Sequence, residues 1–281
     1  MTPALVQTEL PGVITVPRAL RSALLSTVPF VRHGLTYRVP GMGKAEGNIG
    51  LGTPRDREDA WAMRKLWCSD IGVDPERIVT MGQVHGNDVL RVRPENAGKG
   101  SRDPGIHLGY ADALITNATG PVLMTLHADC QPILLVDPVN RAVAAVHAGW
   151  RGTVADVGGA AVAAMGREFG SKPGDLLAYL GPAIGPAQNE VGDEVIEAWL
   201  AQADDLGEAA QAAVLKPGLK HHFDVPTANQ LLMLRAGLVQ EHIEVSDICT
   251  RTSKDTWFSH RGHGPNAGRE GALIAIVDEP R

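Results

Sequence analysis

Cysteine is scarce in this chain: Cys68, Cys130 and Cys249 are the three in 281 residues. So small and odd a number argues against a disulfide framework and fits a reducing cytoplasm. Aromatic residues make up only 4%, which leaves little material for stacking nucleic-acid bases. Positive charge is also in short supply. Lys and Arg total 26 against 32 Asp and Glu, a net charge of -6, so no electrostatic footprint for nonspecific nucleic-acid binding is expected. No apolar run approaches the ~20 residues of a membrane helix, and residues 1–11 lack the basic segment and apolar core of a secretory signal. No repeat recurs at solenoid or propeller periods. These absences predict a soluble cytoplasmic protein with no nucleic-acid or membrane partner.

What is present is core material and turns. Hydrophobic residues reach 44%, and the 32 Gly and 19 Pro are scattered rather than clustered, as in a fold with many short connections. Val13–Val16 reads as a strand, Leu20–Pro29 as a short helix, and 31–53 as a Gly-rich loop suited to close approach by a ligand. Pro54–Ile71 has helical period, with Ala60, Met63, Leu66 and Trp67 on one face. Short apolar runs at 77–81, 88–92, 113–116, 122–126, 133–136, 142–146, 176–180 and 274–277 predict strands. Helices are predicted over 152–169, 192–200 and 224–236, the last capped by Asp224 with Pro226 in its first turn. Strands outnumber helices and several are consecutive. The expected class is therefore α+β, one domain of mixed β-sheets flanked by helices over residues 1–281, with 1–30 an N-terminal extension packed on it.

Three short motifs carry the chemistry: Gln-Val-His-Gly at 83–86, Ala-Asp-Cys at 128–130 and His-Ala-Gly-Trp-Arg-Gly at 147–152. They offer two imidazoles and a thiol, His85, His147 and Cys130, donors suited to tetrahedral zinc with a fourth position open. Cys130 precedes one predicted strand and His147 follows the next. A hairpin turning at 137–140 leaves seven residues on each side and brings the two together. His85 must arrive from elsewhere in the fold. Taken singly, a cysteine or histidine beside an apolar run is more often a packing residue. The same pair also suits a thiolate nucleophile with an imidazole base, although a second histidine favours metal over a hydrolase triad. Arg38, before a Gly-rich turn, is a candidate anion clamp. Asp129 is placed to orient a ligand or to cap a turn, and Arg151 to meet a substrate anion or an internal carboxylate.

These motifs, together with Ala111–Thr116, Pro132, Gly181–Pro186, Val191-Gly192, Phe258-Ser259 and Gly268-Arg269, occur in one order from about His33 to the C-terminus. The chain thereby resembles the YfiH-type family, whose members carry the labels laccase-domain protein, multicopper polyphenol oxidase and purine nucleoside phosphorylase. The resemblance implies a YfiH-like fold related to cytotoxic necrotising factor, and a Zn2+ site made by His85, Cys130 and His147. It implies phosphate handling by Arg38, substrate contacts from Asn48, Gln83 and Arg151, and catalytic roles for Arg38, Asp129 and Cys130. The implied activity is phosphorolysis of adenosine, inosine, guanosine and methylthioadenosine, with adenosine deamination alongside, by a monomer or homodimer. Leu35, Tyr37, the 39–44 loop, the 48–52 segment, Gln131 and His260 depart from the family pattern. A Cys130/His147 hydrolase or amidase acting on cell-wall peptides is the alternative. Copper oxidation ranks lower, because His221-His222 is the one close histidine pair and no His-x-His pattern occurs.

Overall fold

A computed structural model describes residues 17–278; the strand expected at 13–16 lies outside the described residues. The chain runs β1 (Val31–Leu35), α1 (Arg57–Ile71), β2 (Ile78–Val79), β3 (Val89–Arg91), β4 (Ala113–Thr116), β5 (Val122–His127), β6 (Gln131–Asp137) and β7 (Ala142–Ala148). It continues through α2 (Trp150–Val154), α3 (Val157–Phe169), β8 (Leu177–Leu180), β9 (Glu190–Val191), α4 (Asp193–Gln202), β10 (Val214–Leu215) and β11 (His221–Phe223). α5 (Val225–Arg235), β12 (Ile243–Val245), α6 (His260–His263) and β13 (Glu270–Ile276) complete it. The expected α+β architecture of mixed sheets and flanking helices is what the structure has.

A six-stranded mixed sheet has the order β12-β8-β6-β7-β4-β3, and a four-stranded one the order β1-β13-β5-β2. They pack face to face. Alternation along β6 sends Leu134 and Val136 into a shared core with Leu123 of β5 and Ile274 of β13, while Ile133 and Leu135 meet Val157, Ala161 and Met165 of α3 on the far side. Strands buried on both faces are continuously apolar, which explains why 133–136 and 142–146 read as unbroken hydrophobic runs. α1 covers the outer face of the four-stranded sheet through Met63, Trp67 and Ile71. Asp56 caps it by accepting the Asp59 N–H, and Gly72 ends it at φ 82°.

Three differences from the sequence expectations have local causes. The stretch read as a loop over 31–53 opens with strand β1, because Val31–Leu35 pairs antiparallel with β13. The helix predicted over 152–169 is two helices, because Asp156 adopts φ 57° and spends its carboxylate on the Gly159 N–H, restarting the helix as α3. The segment 20–29 forms only a short 3-10 turn at Leu25–Thr27, where Ser22 and Glu244 take the free amides of 23–25.

Candidate active site

The β6–β7 hairpin sets the geometry. Its register pairs Asp137 with Ala142 and Pro132 with His147, so the turn occupies 138–141, with Arg141 at φ 49°. Asp137 stabilises that turn by accepting the Val139 and Asn140 N–H groups. Continued one pair beyond Gln131↔Ala148, the register sets Cys130 opposite Gly149, two residues from the equal-count pairing read from sequence. A two-residue offset keeps side chains on the same face. Cys130 and His147 still converge, now diagonally, and the residue opposite the thiol has to be small. A Cβ on Gly149 would lie 2.8 Å from the Cys130 Sγ and 3.0 Å from the His85 ring.

His85 enters from a turn between β2 and β3, at φ 62°. Gln83 holds this turn against β5 in the manner of an extra strand residue: its Nε2 donates to Leu126 O and its Oε1 accepts the Leu126 N–H, both at 2.8 Å. Asp112, just before β4, fixes the other side by accepting the Gly86 N–H at 2.7 Å and the Val84 N–H at 3.2 Å. The same carboxylate lies 2.8 Å from the His147 Nδ1. One buried acid therefore positions two histidines. The donor atoms of His85, Cys130 and His147 all lie within 4.8 Å of one another, with Cys130 Sγ 3.9 Å from His85 Nε2. Donors around a tetrahedral zinc stand about 3.4–3.6 Å apart.

The donor chemistry fits a metal ion. Burial alone would raise the Cys130 thiol, but the His147 charge and hydrogen bonds from His147 and His85 outweigh it and hold the thiol at about 6. Burial alone would lower His147, yet the thiolate and Asp112 raise it to about 9. Asp112 itself, although buried, is held below the usual carboxylate range by His147 and the backbone amides. With Nδ1 committed to Asp112, His147 presents Nε2 to the cluster, the pairing that orients metal-bound histidines in general. His127 is a different imidazole. It is buried, bonded to Cys130 O and Thr125 Oγ1, and kept neutral by burial and by the charges of His147 and Arg269.

The other residues singled out in the sequence have diverse surroundings. Asp129, at φ 82°, accepts from Thr250 Oγ1 at 2.7 Å and the Arg261 N–H at 2.6 Å, tying the C-terminal loops to the bend between β5 and β6 that carries Cys130. Asn48 is fully buried; its Oδ1 accepts the N–H groups of Gly50 and Arg269. Arg151 is exposed and lies over the Trp150 ring at 4.2 Å. Arg38 is committed to Glu46 at 2.7 Å and to the carbonyl of Asp255 at 2.7 Å. Sequence reasoning gave Asp112 no role, although its place immediately before β4 was a usable signal. Glu270 was also missed. This buried acid accepts the Phe258 N–H, and burial with nearby Asp129 pushes it well above the usual carboxylate range.

A mixed-sheet α+β fold with an open His-Cys-His cluster at one end of its strands is the class this geometry defines. Residues 32–277 match the family described as multi-copper polyphenol oxidoreductase laccase, and the chain belongs to that family. It is 34% identical over 258 residues to a purine nucleoside phosphorylase of Bacteroides thetaiotaomicron, covering 90% of this chain and 94% of that protein. It is 35% identical over 207 residues to adenosine deaminase RL5 of an unknown prokaryotic organism, covering 73% and 78% respectively. The crystal structure of YlmD from Geobacillus stearothermophilus superposes with a TM-score of 0.84 at 31% identity, covering 89% of this chain and 93% of that one.

Proposed function

We propose that this chain is a zinc-dependent purine nucleoside phosphorylase acting on adenosine, inosine, guanosine and methylthioadenosine, with adenosine deaminase activity, working in the cytoplasm as a monomer or homodimer. The relatives named for these two activities support the reading. The observation that carries it is the convergence of His85, Cys130 and His147 under one orienting carboxylate. Cys130 Sγ and the Nε2 atoms of His85 and His147 would hold the ion. Zinc bound there would supply a Lewis acid at an open position. In phosphorolysis a phosphate oxygen bonds to the ribose C1 as the glycosidic bond breaks, and the purine leaves with a proton. In deamination water adds at C6 and ammonia departs. Asp112 retains the proton on His147 Nδ1 in either reaction, so the imidazole keeps its orientation. Asp129 acts by holding the loops of Thr250 and Arg261 beside Cys130. Gln83 holds the His85 turn in place.

The decisive assay incubates zinc-loaded protein with adenosine and phosphate and separates adenine, inosine and ribose 1-phosphate. Cys130→Ala is expected to lose zinc and to lower both turnovers at least about 100-fold. Unchanged zinc content and phosphorolysis in that variant would refute the assignment.

A second reading, the cell-wall peptide hydrolase or amidase, draws on one observation: the Cys130 thiol is held at about 6 beside a protonated imidazole. It requires activity that survives chelation and disappears on thiol alkylation. Copper oxidation has weaker donor support. Among the described residues there is one group of three candidate ligands, and the His221-His222 pair is spent on Asp193 and on Pro186 O.

A further inference from the structure

We propose that Arg55 and Arg269 form the phosphate site of this protein, beside the His85–Cys130–His147 cluster. The proposal rests on the nucleoside reading for its biological substrate but not for its geometry. Two guanidinium groups 214 positions apart in sequence converge on a single acceptor: Arg269 Nη1 donates to Ala267 O at 2.7 Å, and Arg55 Nη2 donates to the same oxygen. Arg55 Nη1 adds Gly52 O at 3.2 Å, and Arg269 Nη1 adds Gly268 O at 2.9 Å. Asn48 Oδ1 fixes the Arg269 backbone N–H at 2.9 Å. Gly50 leaves room for the Arg269 stem, since a Cβ there would sit 3.1 Å from the arginine Cβ and Cγ.

Such a pair calls for a counter-charge. Neither arginine is in an ion pair with a carboxylate among the described residues. The Arg55 Nε is buried with no hydrogen-bond partner, an arrangement that leaves a strong donor unmet unless a ligand supplies the acceptor. Burial disfavours the charge of both and Arg269 lowers Arg55 further, while Glu270, Cys130 and Asp129 support the Arg269 charge from nearby without pairing with it. A tetrahedral oxyanion with several acceptor oxygens answers all of this, because guanidinium donors match it in both geometry and charge.

The location suits a co-substrate of the cluster. Glu270, next to Arg269, stands in register with His127 across β13 and β5. The His127 ring bonds the Cys130 carbonyl at 3.1 Å and lies 5.3 Å from the His147 ring. Arg38 is less suited to the same anion. Its Nε and Nη1 are occupied by Glu46 and two carbonyls, and an anion there would face the Glu46 carboxylate.

The test is calorimetric titration of the zinc-loaded protein with inorganic phosphate, paired with KM values for phosphate and nucleoside. Arg55→Gln and Arg269→Lys are expected to weaken phosphate binding about 10- to 100-fold, raising KM for phosphate while KM for nucleoside stays within about threefold. Arg38→Gln is expected to bind phosphate within about threefold of the wild type. Phosphate bound equally well by Arg55→Gln, phosphate lost in Arg38→Gln instead, or no phosphate taken up by the wild type would each overturn the proposal. Should Arg269→Lys melt early, Arg55→Gln decides alone. If phosphate binds as expected and no purine nucleoside is cleaved, the anion site stands and the nucleoside reading falls.

Discussion

The His85–Cys130–His147 cluster and the loop that follows β1 are built in opposite ways. Cys130, His147 and Asp112 sit at the ends of β6, β7 and β4, all strands paired on both sides within the six-stranded sheet or directly beside such a strand. The loop of 36–52 is held by scattered contacts rather than a strand ladder: Arg38 N–H to Thr256 O, Val39 N–H to Glu46 O, Ile49 N–H to Arg269 O, Trp67 Nε1 to Gly47 O, and the Asp59 carboxylate to the amides of Lys44 and Ala45. In the first region a donor's direction follows from strand parity, so a motif predicts where the side chain points. In the second, the arginine's direction is set by its particular partners: Glu46, Lys254 O and Asp255 O hold the Arg38 guanidinium. A motif therefore predicts side-chain direction more directly at strand ends than in a loop.

At the strand-end cluster the test is Cys130. An ordinary thiol near 9 is about 1% thiolate at pH 7, whereas one at about 6 is roughly 90%. In metal-stripped protein, alkylation of Cys130 followed peptide by peptide in mass spectrometry is expected to reach half its maximal rate near pH 6. The depressed value adds stability that is complete above the unfolded value near 9 and is lost as pH falls through 6. His147, raised to about 9, adds stability below 6.5 that is lost above 9. The charged pair is intact between those limits. Cys68, which burial pushes up to about 12, serves as the internal contrast and is expected to stay unmodified. An alkylation midpoint for Cys130 near 9 would show that the imidazole does not govern it.

Asp112 comes next in size. Asp112→Asn keeps the shape but removes the charge that holds His147 and weakens acceptance from the Gly86 and Val84 amides. Orienting carboxylates of this kind are worth about 10- to 100-fold in metal affinity, and that loss of zinc affinity is expected in competition with a chelating dye. An affinity within twofold of the wild type would mean that the strand ends alone position the ligands, without the shared acid.

Much of this end of the molecule was legible in the sequence because it obeys period-two logic. The runs at 133–136 and 142–146, a turn between them and two donors at their outer ends specify a face, and a register error of two residues left that face unchanged. Asp112 was harder to see because its partners, Gly86 and His147, are 26 and 35 residues away. The arginine pair was invisible for the same reason on a larger scale. β13 returns beside β5 and β1 at the far end of the chain, and only that return carries Arg269 to Arg55. Asn48 and Gln83, marked for substrate, have their amides engaged with backbone groups. A motif shows that a residue is required, and not whether its side chain faces a ligand or the neighbouring strand.

Glu46→Gln tests the loop after β1. Arg38 and Glu46 form a pair with the carboxylate 41% exposed, and such pairs contribute about 0–1 kcal/mol. Glu46→Gln is therefore expected to lower unfolding stability by no more than about 1 kcal/mol in denaturant titration. Its informative readout is phosphate. The substitution removes the carboxylate paired with Arg38, and leaves Asp255 O and Lys254 O to hold the guanidinium where it is. If Arg55 and Arg269 carry the anion, KM for phosphate stays within about twofold of the wild type, because neither arginine bonds to Glu46. If the loop arginine is the true site, removing the carboxylate that competes with and repels the ligand there makes KM for phosphate fall. A fall of fivefold or more would assign the anion to the loop and not to Arg55 and Arg269.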